Sequence, residues 1–131
     1  MKGFADDIES LTLANTDFRR VVYTGHNLQL VLMTLQPGEE IGAEVHSDRD
    51  QFFRIEAGTG QVTIDGVKHT VRADDAVIVP QGARHNVACT GTNALKLYTI
   101  YGPPEHKDKV VHRTASEAHA AHEHFDGVTS E

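Results

Sequence analysis

The strongest constraint on this chain is a rhythm. From Phe18 onward, short runs of alternating apolar and polar residues are broken at close intervals by Gly, Asp and Pro. A period of two sends successive side chains to opposite faces of a strand, and frequent turn residues exclude long helices. The segments FRRVVY, LQLVLMTL, IGAEVH, QFFRIEA, QVTI, VKHTV, AVIV, HNVACT and ALKLYTIY read as strands, which predicts an all-β sandwich or barrel. VTIDGVKHTV is the clearest hairpin: Asp65-Gly66 suits the positive φ angles of a type I′ turn and sets Ile64 opposite Val67.

The rhythm stops at YGPPEH, where two prolines end the last strand. Thr114 then stands three residues before Glu117 at the head of an alanine-rich stretch, a capping-box pattern that predicts a short C-terminal helix of two or three turns. The first 17 residues read as an N-terminal arm. At 131 residues the chain has the size of one domain with one core.

Charge narrows the partners. With 12 Lys and Arg against 19 Asp and Glu, the net charge is -7, and no basic run could neutralise a phosphate backbone. Nucleic acid is therefore not an expected partner. Nor is a membrane, because no run approaches the roughly 20 apolar residues of a span. A lone cysteine, Cys89, and an opening segment without a secretory apolar region lead to the expectation of a cytoplasmic protein. Cys89 is expected to be a buried, inert thiol.

One stretch carries chemistry. If IGAEVH and QFFRIEA pair across the loop Ser47 to Asp50, His46 faces Gln51 and Glu44 faces Phe53. A carboxylate, an imidazole and an amide then share one strand face. Val45 and Phe52 fall on the other face, where an apolar patch calls for cover; packing of that patch in a homodimer is the expected solution. Further along, in DDAVIVPQGARHNVACTG, Pro80 closes a strand, Gly82 permits a tight reversal and His85 opens the next strand.

Together these two stretches resemble the two motifs of the cupin superfamily, small double-stranded β-helix, or jelly-roll, barrels. The first motif runs Gly, five residues, His-x-His, three or four residues, Glu, six residues, Gly. Here Gly38 begins it, Glu44 and His46 stand at the histidine positions, Gln51 replaces the usual Glu, and Gly58 ends it. The second runs Gly, five residues, Pro-x-Gly, two residues, His, three residues, Asn. Asp74 replaces its glycine, Pro80, Gly82 and His85 match, and Cys89 takes the asparagine position. The resemblance spans residues 18–103, as the barrel, with 104–131 as a tail. More narrowly, the chain resembles small single-domain bacterial cupins of the mannose-6-phosphate-isomerase-like group.

The resemblance implies one divalent transition metal, Fe, Mn, Ni, Zn or Co, held by Glu44, His46, Gln51 and His85. The usual set is three imidazoles and one carboxylate. In this chain the carboxylate has moved to the first position, and a neutral amide takes its former place. Glu44, His46 and His85 would form a two-histidine, one-carboxylate triad with open positions for a substrate. Decay of a site replaces donors with apolar residues, whereas all four positions here keep donor atoms. Phe53, Tyr98 and Tyr101 are candidates for the substrate pocket.

The leading expectation is a metal-dependent enzyme of isomerase type, acting on a small polar sugar-like or carbonyl substrate. An Fe(II)-dependent dioxygenase and a non-catalytic small-ligand-binding cupin are the alternatives. His119, His122 and His124 in the tail form a second histidine cluster, read as an exposed helix end that picks up metal only adventitiously.

Overall fold

The computed structural model describes residues 1–131. Helix α1 (Ile8–Ala14) precedes ten strands: β1 (Arg19–Thr24), β2 (Gln29–Leu35), β3 (Glu44–Val45), β4 (Asp50–Ala57), β5 (Thr59–Ile64), β6 (Val67–Arg72), β7 (Ala76–Val79), β8 (Arg84–Cys89), β9 (Leu95–Gly102) and β10 (Val111–His112). Helix α2 (Ala115–Ala120) follows. The strands form a six-stranded sheet of order β10-β1-β2-β9-β4-β7 and a four-stranded sheet of order β3-β8-β5-β6. All pairings are antiparallel, and the sheets face each other without closing into one continuous barrel.

Alternation builds the core. Along β9, Leu95, Leu97, Thr99 and Tyr101 are buried, while Lys96, Tyr98 and Ile100 between them are only partly so. Val31, Met33, Leu35, Phe53 and Ile55 from the larger sheet share one core cluster with Val62 and Val87 from the smaller. Each such side chain stabilises the fold by roughly 1.5–3 kcal/mol when fully buried. At one end the inward rows turn polar. Gln29, Tyr101 and Gln51 lie in register across three neighbouring strands. Gln29 is satisfied internally, its Nε2 donating to Thr24 Oγ1 and to the His106 carbonyl.

The turns obey their local chemistry. Asp65 and Gly66 have φ of 46° and 82°, and Ile64 pairs with Val67, as the type I′ hairpin requires. Gly58 has φ of 87°, and a Cβ there would lie 2.4 Å from the Ala94 carbonyl oxygen, so both backbone and space demand glycine.

The structure corrects several expectations. β3 does not pair with β4 as a hairpin; it joins the other sheet, setting Glu44 opposite His85 and Val45 opposite Arg84. The loop from Ser47 crosses between sheets instead of reversing within one. Val45 and Phe52 consequently belong to different sheets, and the single apolar patch expected from them is divided. Phe52 instead neighbours Ile78 and Ile100, with its ring 6.3 Å from that of Tyr98.

The arm contains α1, capped by Asp7 Oδ1 accepting from the Ser10 amide at 3.0 Å, and packs against β2, β4 and β9. The tail helix is shorter than expected. Thr114 does cap it, with Glu117 N–H donating to its Oγ1, but Ala121 already has extended backbone. The tail also returns as β10 to the edge of the six-stranded sheet, a strand too short for its two residues to show alternation.

Candidate metal centre

The polar ends of the two sheets meet at Glu44, His46 and His85, and one donor atom from each lies within 4.8 Å of the others. Cross-strand pairing of Glu44 with His85 fixes two of them directly. His46 follows β3 immediately, and its carbonyl accepts the Gly82 N–H at 2.8 Å. Gly82 has φ of 87°, so the reversal after Pro80 both locks His46 and aims His85 inward. Gln51 enters from the opposite sheet.

Outer contacts leave the candidate ligand atoms free. His85 Nδ1 lies 3.0 Å from the Ala83 carbonyl, to which its N–H can donate, leaving Nε2 as a lone-pair donor toward the site. That Nε2 faces Gln51 Oε1 at 3.2 Å, while Gln51 Nε2 donates to Thr99 Oγ1 at 3.0 Å. Two acceptors thus point at one another across a gap that a cation would fill. His46 lies between two carboxylates: Nδ1 is 3.6 Å from Glu105 Oε2, and Nε2 is 3.1 Å from Glu44 Oε2. His46 Nε2 is buried, and the Glu44 carboxylate is its polar neighbour. Burial pushes the Glu44 carboxyl up, but the His46 hydrogen bond and the charges of His46, Arg19 and His85 outweigh it, and the net shift is downward. An ionised carboxylate, two imidazoles and an amide oxygen fit a divalent transition metal.

The remaining pocket candidates divide. Tyr101 is buried, with its ring 5.9 Å from His46, and burial raises its pKa above the ordinary phenol value. Phe53 is fully buried among core side chains one alternation below Gln51. Tyr98 is on the outer side of β9 against Phe52, because its parity is opposite to that of Tyr101. It is therefore not a pocket residue. Cys89 is buried, its thiol donating to the Asn93 carbonyl.

The tail supplies neighbours that sequence reasoning missed. Glu105 accepts an ion pair from Arg49 at 2.6 Å while facing His46. His106 Nδ1 lies 2.8 Å from Glu123 Oε1, and its Nε2 lies 3.4 Å from the Tyr101 hydroxyl. Burial raises the Glu123 carboxyl, but the His106 contact more than offsets it, leaving Glu123 below its ordinary value. Glu105, His106, Glu123 and Arg19 line a cavity of about 300 Å³ beside Glu44. By contrast, His119 contacts the Ile41 carbonyl and the edge of Phe18, His124 is largely exposed, and neither joins the ligand cluster. His122 lies beyond α2, so it does not share a helix face with His119.

Two facing antiparallel sheets with histidine and carboxylate donors converging at one end define a double-stranded β-helix protein with a candidate metal site. Residues 31–101 match the Cupin_2 model, described as a cupin domain, and the chain belongs to that family. It is 44% identical over 126 residues to the uncharacterized protein YrkC of Bacillus subtilis, covering 92% of this chain and 68% of that one. A crystal structure of BH2720 from Bacillus halodurans superposes with a TM-score of 0.90 at 43% identity, over 92% of this chain and 96% of that one. A more distant likeness, 32% over 76 residues, is to mannose-1-phosphate guanylyltransferase of Salmonella montevideo; it covers 58% of this chain but only 16% of that enzyme. No helix is long and apolar enough to cross a membrane.

Proposed function

We propose that this cupin is a metal-dependent enzyme of isomerase type, acting on a small polar sugar-like or carbonyl substrate. The observation that carries the reading is the convergence of Glu44, His46 and His85, with His46 Nε2 3.1 Å from Glu44 Oε2 and His85 Nε2 3.2 Å from Gln51 Oε1. A divalent ion held there supplies Lewis-acid polarisation of substrate oxygens. The chain itself supplies a proton-handling group in the same cavity. Glu123, held ionised, accepts a hydrogen bond from His106 Nδ1–H and orients the ring, leaving Nε2, 3.4 Å from the Tyr101 hydroxyl, to take a proton from substrate. Moving a proton between adjacent carbons of an enolisable carbonyl requires such a base. The likeness to a cupin region within a sugar-phosphate enzyme supports including sugar phosphates among the substrates screened.

Elemental analysis of untagged protein, followed by anaerobic turnover screening with the metal found, tests the proposal. One metal per chain and isomerisation of a sugar, sugar acid or hydroxycarbonyl compound are expected. The two-histidine, one-carboxylate triad also favours a second reading, an Fe(II) dioxygenase, which would consume oxygen with iron alone. Saturable binding of ligand with no product under either regime would reduce the protein to a ligand-binding cupin.

We also propose a homodimer through the outer face of the six-stranded sheet, where Ile78 is 67% exposed beside Phe52. Phe52→Asp should give a monomer in sedimentation equilibrium; a dimeric mutant would move the interface elsewhere.

A further inference from the structure

Arg19 differs from the other charged groups around the candidate metal centre in having no ion-pair partner. It heads β1 in the same inward phase as Val21, opposite His112 of β10, and is 6% exposed. Its Nη1 donates to His112 Nδ1 at 3.2 Å, and its guanidinium carbon lies 5.7 Å from the centroid of the Phe18 ring. Its Nε is buried without a hydrogen-bond partner, and the side chain makes no ion pair. A buried guanidinium is costly unless paired with an anion.

The carboxylates sharing its cavity already have partners. Glu44 faces His46, Glu105 is held by Arg49, and Glu123 is held by His106. Arg19 is thus a buried cation without a contact ion pair, its charge reaching Glu44 and Glu123 only at longer range, on the wall of a cavity that reaches the candidate metal ligands. His112 orients it without neutralising it: burial, and then the adjacent Arg19 charge, hold the imidazole below its ordinary pKa and so neutral.

We infer that Arg19 is the recognition site for a carboxylate on the substrate, so that the substrate class is hydroxy or oxo acids whose oxygens bind at the metal centre while the carboxylate pairs with the guanidinium. The inference rests on the metal-enzyme reading proposed above and narrows its substrate. A planar fork of donors suits a carboxylate, and the surrounding burial strengthens a charge-assisted pair relative to water. A neutral sugar or polyol would leave the guanidinium buried and unpaired, which makes the residue a selector against uncharged analogues.

Calorimetric titration of the full-length protein, with its metal content measured, tests this using D-glycerate and its neutral isostere glyceramide as probes. Wild type should bind glycerate at least about tenfold more tightly than glyceramide. Arg19→Gln should abolish that preference at unchanged metal content, and Arg19→Lys should restore part of it. The melting temperature of Arg19→Gln should equal or exceed that of wild type, because an unpaired buried charge is removed; a purely structural arginine would lower it. Should glutamine unfold the chain, Arg19→Lys carries the test, with a preference reduced but retained. A glycerate preference that persists in Arg19→Gln, or no binding of glycerate to wild type at about 50 mM, overturns the inference. An Arg19-dependent preference in protein without metal would sustain the anion site and defeat the metal reading. An Arg19-independent preference in protein carrying one metal would do the reverse.

Discussion

Two histidine clusters lie in this chain, and only one of them is organised as a site. The tail has three imidazoles within six residues, His119, His122 and His124, which line the cavity beside Glu44, yet His119 contacts the Ile41 carbonyl, His124 lies 3.9 Å from Glu105, and the three do not gather as ligands. The inter-sheet cluster has two imidazoles separated by 38 intervening residues, from His46 to His85, and brings their donor atoms within 4.8 Å of each other and of Glu44. Local density of donors is therefore a poor guide. Rigid backbone pairing, which places Glu44 opposite His85 and ties the His46 carbonyl to Gly82, is what converges them.

The largest expected effect breaks the comparison most directly. His85→Ala should reduce metal content from one per chain to none, whereas the triple replacement of His119, His122 and His124 by Ala should leave it at one. Inductively coupled plasma mass spectrometry on untagged protein decides it. A triple variant that loses the ion while His85→Ala retains it would reverse the assignment of the two clusters.

A smaller effect sharpens the comparison, because one tail residue does serve the site. Glu105 lies 3.6 Å from His46 Nδ1 and is anchored by Arg49. An acceptor behind a ligating imidazole fixes its tautomer and raises its basicity, and losing one costs about 10–100-fold in metal affinity. Glu105→Gln should weaken binding by roughly the lower figure, tenfold, in a competition titration with a chromophoric chelator. An unchanged affinity would leave Glu105 as a partner of Arg49 alone.

How much of this was legible in sequence follows from which interactions are local. The I′ hairpin, the Pro80-Gly82 reversal and the motif spacing are written within a few residues, and each was readable. Membership of sheets was not: the partner of β3 is decided by where the loop after Ser47 carries the chain, and alternation gives parity without naming the neighbour. Parity was enough to send Glu44, His46 and Gln51 toward one space even under the wrong pairing. It could also have shown that Tyr98 and Tyr101 cannot share a face, since they are three apart on one strand. Arg19 was missed because an arginine at a strand start ordinarily lies in solvent; its inward phase with Val21 was the available signal.

A third test concerns pH and the cavity wall. His112 is held below its ordinary pKa by burial first and by Arg19 second, with His106 adding to the effect and Glu123 and Glu117 opposing it. A group with a depressed folded pKa binds more protons unfolded, so its contribution is complete above the unfolded value, about 6.5, and is lost as pH falls toward the folded one. Thermal melts should show stability declining below about pH 6.5, and His112→Asn should make that decline shallower. A His112→Asn slope identical to wild type would assign the acid sensitivity to other groups.

The smallest effect lies away from both clusters, where the second motif departs from glycine. Asp74 occupies the left-handed region with φ of 75°, a conformation that costs an L-residue roughly 1–2 kcal/mol, less for Asp than for most. The fold keeps it there through the Asp74 N–H donating to the Ile55 carbonyl at 2.9 Å, a bond that glycine would preserve. Its carboxylate also accepts from Arg54 Nη2 at 3.0 Å, but the Asp74 side chain is 87% exposed and such a pair contributes only about 0–1 kcal/mol. Relief of backbone strain and loss of the ion pair oppose each other, as does the greater entropy of glycine in the unfolded chain. Asp74→Gly should therefore change stability by less than about 1 kcal/mol in urea unfolding, with metal content untouched. Adding about 0.5 M NaCl should shift the difference in favour of glycine, because salt screens the exposed pair and leaves the backbone strain intact. A large loss of stability on Asp74→Gly would mean that the Arg54 contact, and not the turn geometry, holds this corner of the fold.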